Sequence, residues 1–223
     1  MTTTRSCSRQ LHYQITRSDH DALRSRLSAG TAATTVSCVH RMFFASYRDR
    51  VSAQHIEELL VPQEARFSLQ YLDNDPSYLA LERSQGGTRS VAMVSEAECR
   101  ALLSGDLDWM EARHDPVLLD FYDGLTERML LPQVTISYRR EVYTPEGLGM
   151  WVALDTDLRA SLQHMDFLDP QRVAEHTASQ EGKILMEIGY SDTIPDQVLC
   201  LLEETAPKRR LLKGQQQKVT GYV

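Results

Sequence analysis

Alternation of apolar and polar residues dominates the chain and predicts a protein built mainly of β-strands. In residues 9–16 the side chains of Leu11, Tyr13 and Ile15 occupy every second position, which places them on one face of a strand. Turn residues such as Gly86-Gly87 follow several such segments, so neighbouring strands are expected to pair as antiparallel hairpins. The predicted strands are residues 9–16, 36–44, 65–72, 78–83, 88–94, 133–143, 148–154 and 183–190.

Two helices are predicted from capping residues at their N-termini. Ser18, with Asp21 three residues later, has the spacing of a capping box and predicts the start of the first helix. Ser95 and Glu98 have the same spacing, and Gly105 is expected to end the helix that they begin. Both helices lie between predicted strands, as in an α+β fold.

The remaining helices are predicted from spacing alone. Apolar residues after Pro116 recur at three- and four-residue intervals, and Pro132 is expected to end that helix. Residues 55–60 and 194–204 have shorter helical patterns, whereas the polar residues 156–182 are predicted to leave the sheet. About eight strands in hairpins with appended helices predict an α+β fold whose meander closes into an antiparallel barrel.

Composition and charge narrow the class of protein. With 223 residues the chain is expected to form one domain, residues 1–223, and its net charge of −7 argues against a nucleic-acid binder. The four lysines all lie at or after Lys183, which excludes lysine-based chemistry from the residues before it. The four cysteines are too widely spaced for a zinc knuckle. No apolar run approaches the roughly 20 residues of a membrane span, and no signal peptide is evident, so a cytoplasmic location is expected.

Several short motifs occur in an order that resembles a known family. They are Gln10-Leu11-His12-Tyr13, Phe67-Ser68-Leu69-Gln70-Tyr71, Leu79-Ala80-Leu81-Glu82-Arg83, Tyr138-Arg139-Arg140-Glu141-Val142-Tyr143, Trp151-Val152-Ala153-Leu154-Asp155 and Met186-Glu187-Ile188-Gly189-Tyr190. Their order and spacing resemble the polyphosphate polymerase domain of the vacuolar transporter chaperone (VTC) family. That family belongs to the triphosphate tunnel metalloenzymes, relatives of the CYTH proteins, and the resemblance runs over most of the chain.

The resemblance implies a fold and a set of site residues. It implies an eight-stranded antiparallel tunnel in which inward Lys and Arg side chains hold a nucleoside triphosphate and polyphosphate, and glutamates bind Mg²⁺ or Mn²⁺. On the matching positions it assigns Arg140, Arg89 and Lys218 to phosphate, and Glu187 with Asp155 to the metal. Glu187 equally fits a strand charge that is paired with an arginine.

Most basic positions of the family pattern are nevertheless changed in this chain. The lysine of the first strand is His12, and the two arginines of a later strand are Ser68 and Gln70. The lysine of the following strand is Glu82, which inverts the charge. Among the inward phosphate-binding positions, Arg140 is the one that is clearly preserved.

Two further changes affect the later strands. An arginine of the family pattern is Trp151, which is expected to fill the core or plug the tunnel, and a lysine is Gly189. Because a charge pair at close range contributes about 4 kcal/mol at a dielectric constant near 20, these losses weaken anion binding strongly.

Three functional hypotheses follow. The first is a catalytically degenerate tunnel protein that acts as a binding or accessory subunit, with a protein partner or an active paralogue, since degenerate domains accompany active ones in the resembled family. The second is an active polyphosphate polymerase-type phosphotransferase that binds polyphosphate or a nucleoside triphosphate. The third is an α+β domain outside this family, whose task the sequence does not specify.

Overall fold

The core of the protein is one antiparallel β-sheet. A computed structural model describes residues 9–30, 33–46, 60, 66–73, 75–85, 88–145, 150–162, 167–169, 178–179, 182–190, 194, 196–205 and 210–211. The strands are β1 (Arg9–Ile15), β2 (Ala33–Ser46), β3 (Arg66–Leu72), β4 (Asp75–Gln85), β5 (Thr88–Met93), β6 (Leu130–Thr144), β7 (Met150–Ser161), β8 (Ala178–Ser179), β9 (Ile184–Tyr190) and β10 (Arg210–Leu211). Eight of them have six or more residues, as predicted, and β8 and β10 have two each.

The sheet is strongly curled. Its strand order is β10-β1-β9-β7-β6-β2-β3-β4-β5, with β8 paired to β7. Six steps separate β9 from β5, which is about 29 Å in a flat sheet. Yet Nη2 of Arg89 on β5 lies 2.9 Å from Oε1 of Glu187 on β9. The predicted α+β, tunnel-like fold is therefore confirmed as a half-barrel, and within the described part of the chain no pairing joins β5 to β10.

Five helices of the described ranges cover the convex face of the sheet in two groups. They are α1 (Arg17–Gly30), α2 (Glu96–Ser104), α3 (Asp108–Arg113), α4 (Pro116–Thr126) and α5 (Asp196–Thr205). Leu23 of α1 and Leu202 of α5 are buried in one core with β1, β7 and β9. Cys99 of α2 and Phe121 of α4 are buried in a second core with β2 to β5. No helix in the described ranges is long and apolar enough to cross a membrane.

The N-terminal caps of two helices can be compared with those predicted from the sequence. The N-terminal cap of α1 is Thr16, not Ser18: Thr16 Oγ1 accepts from the Asp19 N–H at 3.2 Å, and Asp19 Oδ2 accepts from the Thr16 N–H at 3.3 Å. The Ser18 prediction was therefore wrong by two residues, because two overlapping capping boxes were available and the earlier one formed. The Ser95 and Glu98 box of α2 is confirmed.

Element ends differ from the sequence pattern at two places. The fourth helix ends at Thr126 instead of reaching Pro132, because Met129 turns the chain with a φ of 54° and β6 begins at the next residue. Strand β7 continues to Ser161, into the segment predicted to leave the sheet. The predicted helix at residues 55–60 lies outside the described residues except for Leu60.

Candidate functional site

Three arginines and three carboxylates meet on the concave face of the half-barrel. Strand alternation turns one residue in two towards this face, and the curl of the sheet brings distant strands together. We call this set the inner ion-pair network: Arg41 on β2, Glu82 on β4, Arg89 on β5, Arg140 on β6, Asp155 on β7 and Glu187 on β9. The formal charges of the six side chains cancel.

Arg140 forms the most extensive contacts of the network. It faces Asp155 in the β6–β7 register, and its Nε and Nη2 donate to the two carboxylate oxygens of Asp155, each at 2.7 Å. Its Nη2 also donates to Glu187 Oε2 at 2.9 Å. A two-point contact between arginine and carboxylate is both strong and directional, so Arg140 is fixed in place.

The opposite wall of the half-barrel completes the pairing. Arg89 Nη2 donates to Glu187 Oε1 at 2.9 Å, and Arg89 Nε lies 3.6 Å from Glu82 Oε1. Arg41 Nη2 donates to Glu82 Oε2 at 3.1 Å, and Arg41 also donates to the side-chain oxygen of Gln70. Each arginine of the network therefore contacts at least one carboxylate.

Electrostatics favour the charged forms of Glu187 and Arg140. Burial raises the pKa of Glu187, but Arg89, His12 and Arg140 outweigh it and lower the pKa to about 2. Burial also opposes the charge of Arg140, yet Asp155 raises the Arg140 pKa well above its ordinary value. Burial raises the pKa of Asp155, and the two-point contact with Arg140 reduces that rise without cancelling it. The contact between Arg140 and Glu187 is therefore a salt bridge.

His12 lies beside this network without adding charge to it. It faces Glu187 in the β1–β9 register, with Nε2 3.8 Å from Glu187 Oε1. Burial lowers the pKa of His12 to about 4, against the raising effect of Glu187. The side chain at the family's lysine position is therefore a neutral imidazole at pH 7.

Trp151 and Gly189 form a matched pair on the same face. They are partners in the β7–β9 register, and a Cβ built on Gly189 would lie 2.2 Å from Trp151 Cε2. Only a residue without a side chain leaves room for the indole there. The two changes from the family's basic residues are thus sterically coupled, which agrees with the expectation that Trp151 fills space inside the fold.

Little open space remains beside the arginines. The cavity lined by Arg41, Arg89, Ser68 and Ser84, among others, has a volume of about 10 Å³. That is enough for roughly one water molecule. Beyond it, apolar side chains such as Phe43 pack against one another and fill the neighbouring part of the inner face.

The structure brings together four of the five residues that the sequence resemblance singled out. Arg89, Arg140, Asp155 and Glu187 lie within one set of contacts, and Lys218 lies outside the described residues. Their assignment to phosphate or metal stays a prediction.

Sequence reasoning missed Arg41, the most buried arginine of the network. The sequence did contain an indication of its role: Arg41 is a single charged residue between Val39 and Phe43, which are apolar and lie on the same face of β2. An unexplained charge on a buried strand face indicates a partner elsewhere in the fold.

The carboxylates do not fit a resident metal ion. All four oxygens of Asp155 and Glu187 accept hydrogen bonds from Arg89 or Arg140, so a divalent cation would have to displace a guanidinium. Within the described ranges no group of three or more His, Cys, Asp or Glu side chains has an arrangement that could hold a metal.

Comparison with known proteins gives the fold and no closer relationship. No family model matches the sequence, and no curated protein matches it. The structure is similar to a provisionally assigned adenylate cyclase from Bacillus halodurans, with a TM-score of 0.55 and 13% identity over 97% of this chain and 98% of the other. It is also similar to a provisionally assigned adenylyl cyclase from Hippeastrum that is described as having a dominant triphosphatase activity. That match has a TM-score of 0.51 and 13% identity over 94% of this chain and 92% of the other. At 13% identity, these likenesses show a shared fold.

Proposed function

We propose that this chain is a divergent, VTC-related tunnel protein that has lost phosphoryl transfer and acts as a binding or accessory subunit. One observation carries the proposal: the inner arginines are already paired with inner carboxylates, two of them through Glu187. Anion-binding tunnels need cations whose charge is available to the ligand.

The charge balance argues against a bound triphosphate. A phosphate oxygen that took the place of Asp155 on Arg140 would leave a carboxylate that is 2% exposed without its partner. Removing one partner of a buried pair costs roughly 3–5 kcal/mol. Glu82, at the position of a family lysine, would also repel the ligand. A triphosphate would therefore gain few contacts and would disrupt several.

The shape of the inner face supports the same proposal. Trp151 lies over Gly189 where the family pattern has two long basic side chains, and about 10 Å³ is open beside Arg41 and Arg89. A phosphate chain does not fit in the volume of one water molecule. The small open volume beside Arg41 and Arg89 and the indole over Gly189 both support the proposal.

Equilibrium binding tests this proposal. We expect no saturable binding of ATP or of polyphosphate at physiological salt, with or without Mg²⁺ or Mn²⁺, in calorimetric titrations of the full chain. Tight, metal-dependent binding that is lost in Arg140→Gln would overturn the proposal. Arg26→Gln, which changes an exposed arginine of α1, is the matched control for loss of one positive charge.

An active phosphotransferase is the second candidate, and one observation favours it. Arg89, Arg140, Asp155 and Glu187 lie together, and a protein of similar fold is described as a triphosphatase. In that case Arg140, Arg89 and Lys218 would hold phosphate, and Asp155 with Glu187 would hold Mg²⁺ or Mn²⁺ after giving up their arginine partners. Incubation with ATP and Mn²⁺ tests it: release of phosphate, or formation of polyphosphate, is expected and should be abolished by Arg140→Gln.

The accessory role has its own test. If the chain supports an active paralogue, adding it to a polyphosphate polymerase of the VTC type should raise the polymerisation rate saturably at a defined stoichiometry. An unchanged rate over a tenfold excess of this chain would contradict the accessory role.

A further inference from the structure

A second polar cluster lies on the convex face of the sheet, away from the inner ion-pair network. It consists of Ser137 on β6, His40 on β2 and Asp73, which follows β3. Ser137 Oγ is 3.0 Å from His40 Nδ1, and His40 Nε2 is 2.9 Å from Asp73 Oδ1. A hydroxyl, an imidazole and a carboxylate in this sequence of contacts form a nucleophile, a base and an orienting group.

Strand pairing builds the cluster. His40 faces Ser137 in the β2–β6 register and Tyr71 in the β2–β3 register. The rings of His40 and Tyr71 stack with their centroids 4.5 Å apart and their planes 6° from parallel, which fixes the imidazole. The Asp73 N–H donates to the Cys38 carbonyl at 3.0 Å and fixes the turn. The pairing of the strands therefore sets the position of each group.

The position of Asp73 is compatible with one tautomer of the imidazole in particular. His40 is 6% exposed, and its Nε2 lies close to the Asp73 carboxylate, although the contact does not have the alignment of a full hydrogen bond. Such misalignment is common in catalytic groups before substrate binds. A proton on Nε2 facing Asp73 leaves the Nδ1 lone pair to accept from the Ser137 hydroxyl. His40 is then a base for Ser137.

A β-bulge lies beside the serine. In the β6–β7 pairing Ser137 faces Arg159 and Arg139 faces Thr156, so two residues of β7 lie opposite the single residue Tyr138 of β6. These residues, Asp157 and Leu158, also lie outside the described registers of β7 with β8 and β9.

The bulge has a conformation found near functional sites. Asp157 has a φ of 54°, in the left-handed region, which is uncommon for any residue other than glycine. The bulge therefore interrupts the regular β6–β7 register next to Ser137.

Two arginines indicate the class of substrate. Arg139 lies two residues from Ser137 on the same face, with a side chain that is 48% exposed, and Arg159 faces Ser137 from β7. Arg139 keeps a 3.6 Å contact with Glu141, and this loose contact leaves its guanidinium able to meet a second anion. These two guanidiniums, which lie near the carboxylates of Asp73 and Asp157, are the groups that would hold the carboxylate or phosphate of an ester.

The neighbouring thiol does not compete as a nucleophile. Burial raises the pKa of Cys38, and Asp73 raises it further, so the group is a neutral thiol at pH 7. Because the thiolate is the reactive form of cysteine, the reactive group of this cluster is the hydroxyl of Ser137.

We propose that Ser137 is the nucleophile of an esterase-type site for small anionic esters, with His40 as its base and Asp73 as a positioning residue. As Ser137 Oγ bonds to the carbonyl carbon, its proton moves to His40 Nδ1. The bond from that carbon to the alcohol oxygen then breaks, and the alcohol takes the proton from His40. Water attacks the acyl-serine, its proton passes through His40 to Ser137 Oγ, and the acid leaves. The net reaction is ester plus water to acid plus alcohol.

Labelling with a fluorophosphonate probe tests the nucleophile. Ser137 Oγ attacks phosphorus, the P–F bond breaks, fluoride leaves and His40 takes the proton. Mass spectrometry of the labelled full chain is expected to show one adduct on Ser137, which is absent in Ser137→Ala and forms at least tenfold more slowly in His40→Gln. Ser104→Ala, on α2, is the matched control and should label as the unchanged chain does. No adduct on Ser137, or adducts spread over several serines, would overturn the proposal.

A thiol variant keeps the test valid if Ser137→Ala unfolds. In a Cys38→Ser background, Ser137→Cys is expected to react with iodoacetamide at least tenfold faster than the exposed Cys200 of the same molecule. Equal rates for the two thiols would show that His40 does not act as a base for residue 137. Asp73→Asn should slow the reaction of the residue 137 thiol, and Asp73→Glu should restore it, whereas a merely structural Asp73 would change unfolding temperatures without changing this ratio.

The rates at which two esters are hydrolysed test the proposed class of substrate. p-Nitrophenyl succinate, which is anionic, is expected to be hydrolysed at least tenfold faster than neutral p-nitrophenyl butyrate, and Arg159→Gln should reduce that preference. Absence of hydrolysis of both esters would overturn the activity, and an equal rate for both would overturn the anionic class. Neither result bears on the inner ion-pair network, because the cluster lies on the other face of the sheet.

Discussion

Ion pairs on the inner face and on the helix surface have similar distances but different surroundings. Arg140 and Asp155 are 2.7 Å apart, and both side chains are largely buried. Arg26 of α1 and Glu204 of α5 are 2.8 Å apart, but more than half of each side chain is exposed. The two pairs therefore differ in solvent exposure and not in distance. The inner pairs have lost their water and depend on each other, whereas the surface pairs remain solvated.

This difference is the physical basis of the proposal that the inner network binds anions poorly. A solvated arginine gives up a weak partner for a phosphate at little cost. A buried arginine such as Arg140, if it turned to a phosphate, would leave Asp155 without its cation and Glu187 with Arg89 alone. Charge of the right sign is thus not sufficient for binding a polyanion; the charge must also be uncommitted.

Removing an inner cation should have the largest effect. Arg140→Met leaves the buried carboxylates of Asp155 and Glu187 without their main donor, so the free energy of unfolding should fall by about 3–5 kcal/mol. Arg26→Met, measured by the same urea denaturation, should lower it by less than about 1 kcal/mol. Similar losses in the two variants would remove the distinction between buried and exposed pairs.

The second-largest effect is expected at acidic pH, where a buried group of the inner face should lower the stability of the fold. Burial lowers the pKa of His12 to about 4 from its ordinary 6.5, so the unfolded chain binds this proton at a pH where the folded chain does not. Stability from this group is complete above pH 6.5 and is lost as the pH falls towards 4. The expected loss is on the order of 3 kcal/mol, since one pKa unit corresponds to about 1.4 kcal/mol.

The variant His12→Gln tests how much His12 contributes to the pH dependence of stability. Its free energy of unfolding should change less between pH 6.5 and pH 4 than that of the unchanged chain, whatever its stability at pH 7. An identical slope in both proteins would show that His12 titrates normally in the fold.

The coupled pair on β7 and β9 predicts an effect of intermediate size. Gly189→Ala places a Cβ about 2.2 Å from the Trp151 ring, so it should cost roughly 1–3 kcal/mol through overpacking. In a Trp151→Ala background the same change should cost nothing, as a double-mutant cycle of thermal unfolding would report. Additive effects would mean that the two residues do not meet.

The smallest effect is expected on the surface. Arg100 and Glu96 are one turn apart on α2, and both side chains are about two-thirds exposed. Arg100→Ala should lower the free energy of unfolding by about 0.3–0.5 kcal/mol, and the difference should vanish in high salt. A loss comparable with that of Arg140→Met would contradict the comparison.

Local patterns predicted the strands well because alternation is a property of each strand alone. The segments that became β1, β3 and β9 were all visible from their apolar positions. The same patterns misplaced the cap of α1 and the end of the helix before β6, where two local options were close in energy. Strand β10, with two residues, was too short to have a pattern.

The site was harder to predict because its contacts join distant positions. The sequence identified Glu82 as an inverted charge but not its partner Arg41, which lies 41 residues earlier in the chain. Ser137 and His40 are separated by 97 residues and meet only through the β2–β6 register. Such pairs follow from strand register and from the curl of the sheet, which no single segment specifies.

The contact between Trp151 and Gly189 also limits the mutational routes open to this chain. A lysine cannot enter at position 189 while the indole covers it, and an arginine in place of Trp151 alone would leave the space over Gly189 unfilled. Each single substitution is expected to lower the stability of the fold, so the effects of the two positions depend on each other. A basic side chain at position 189 is therefore tolerated only when residue 151 changes as well.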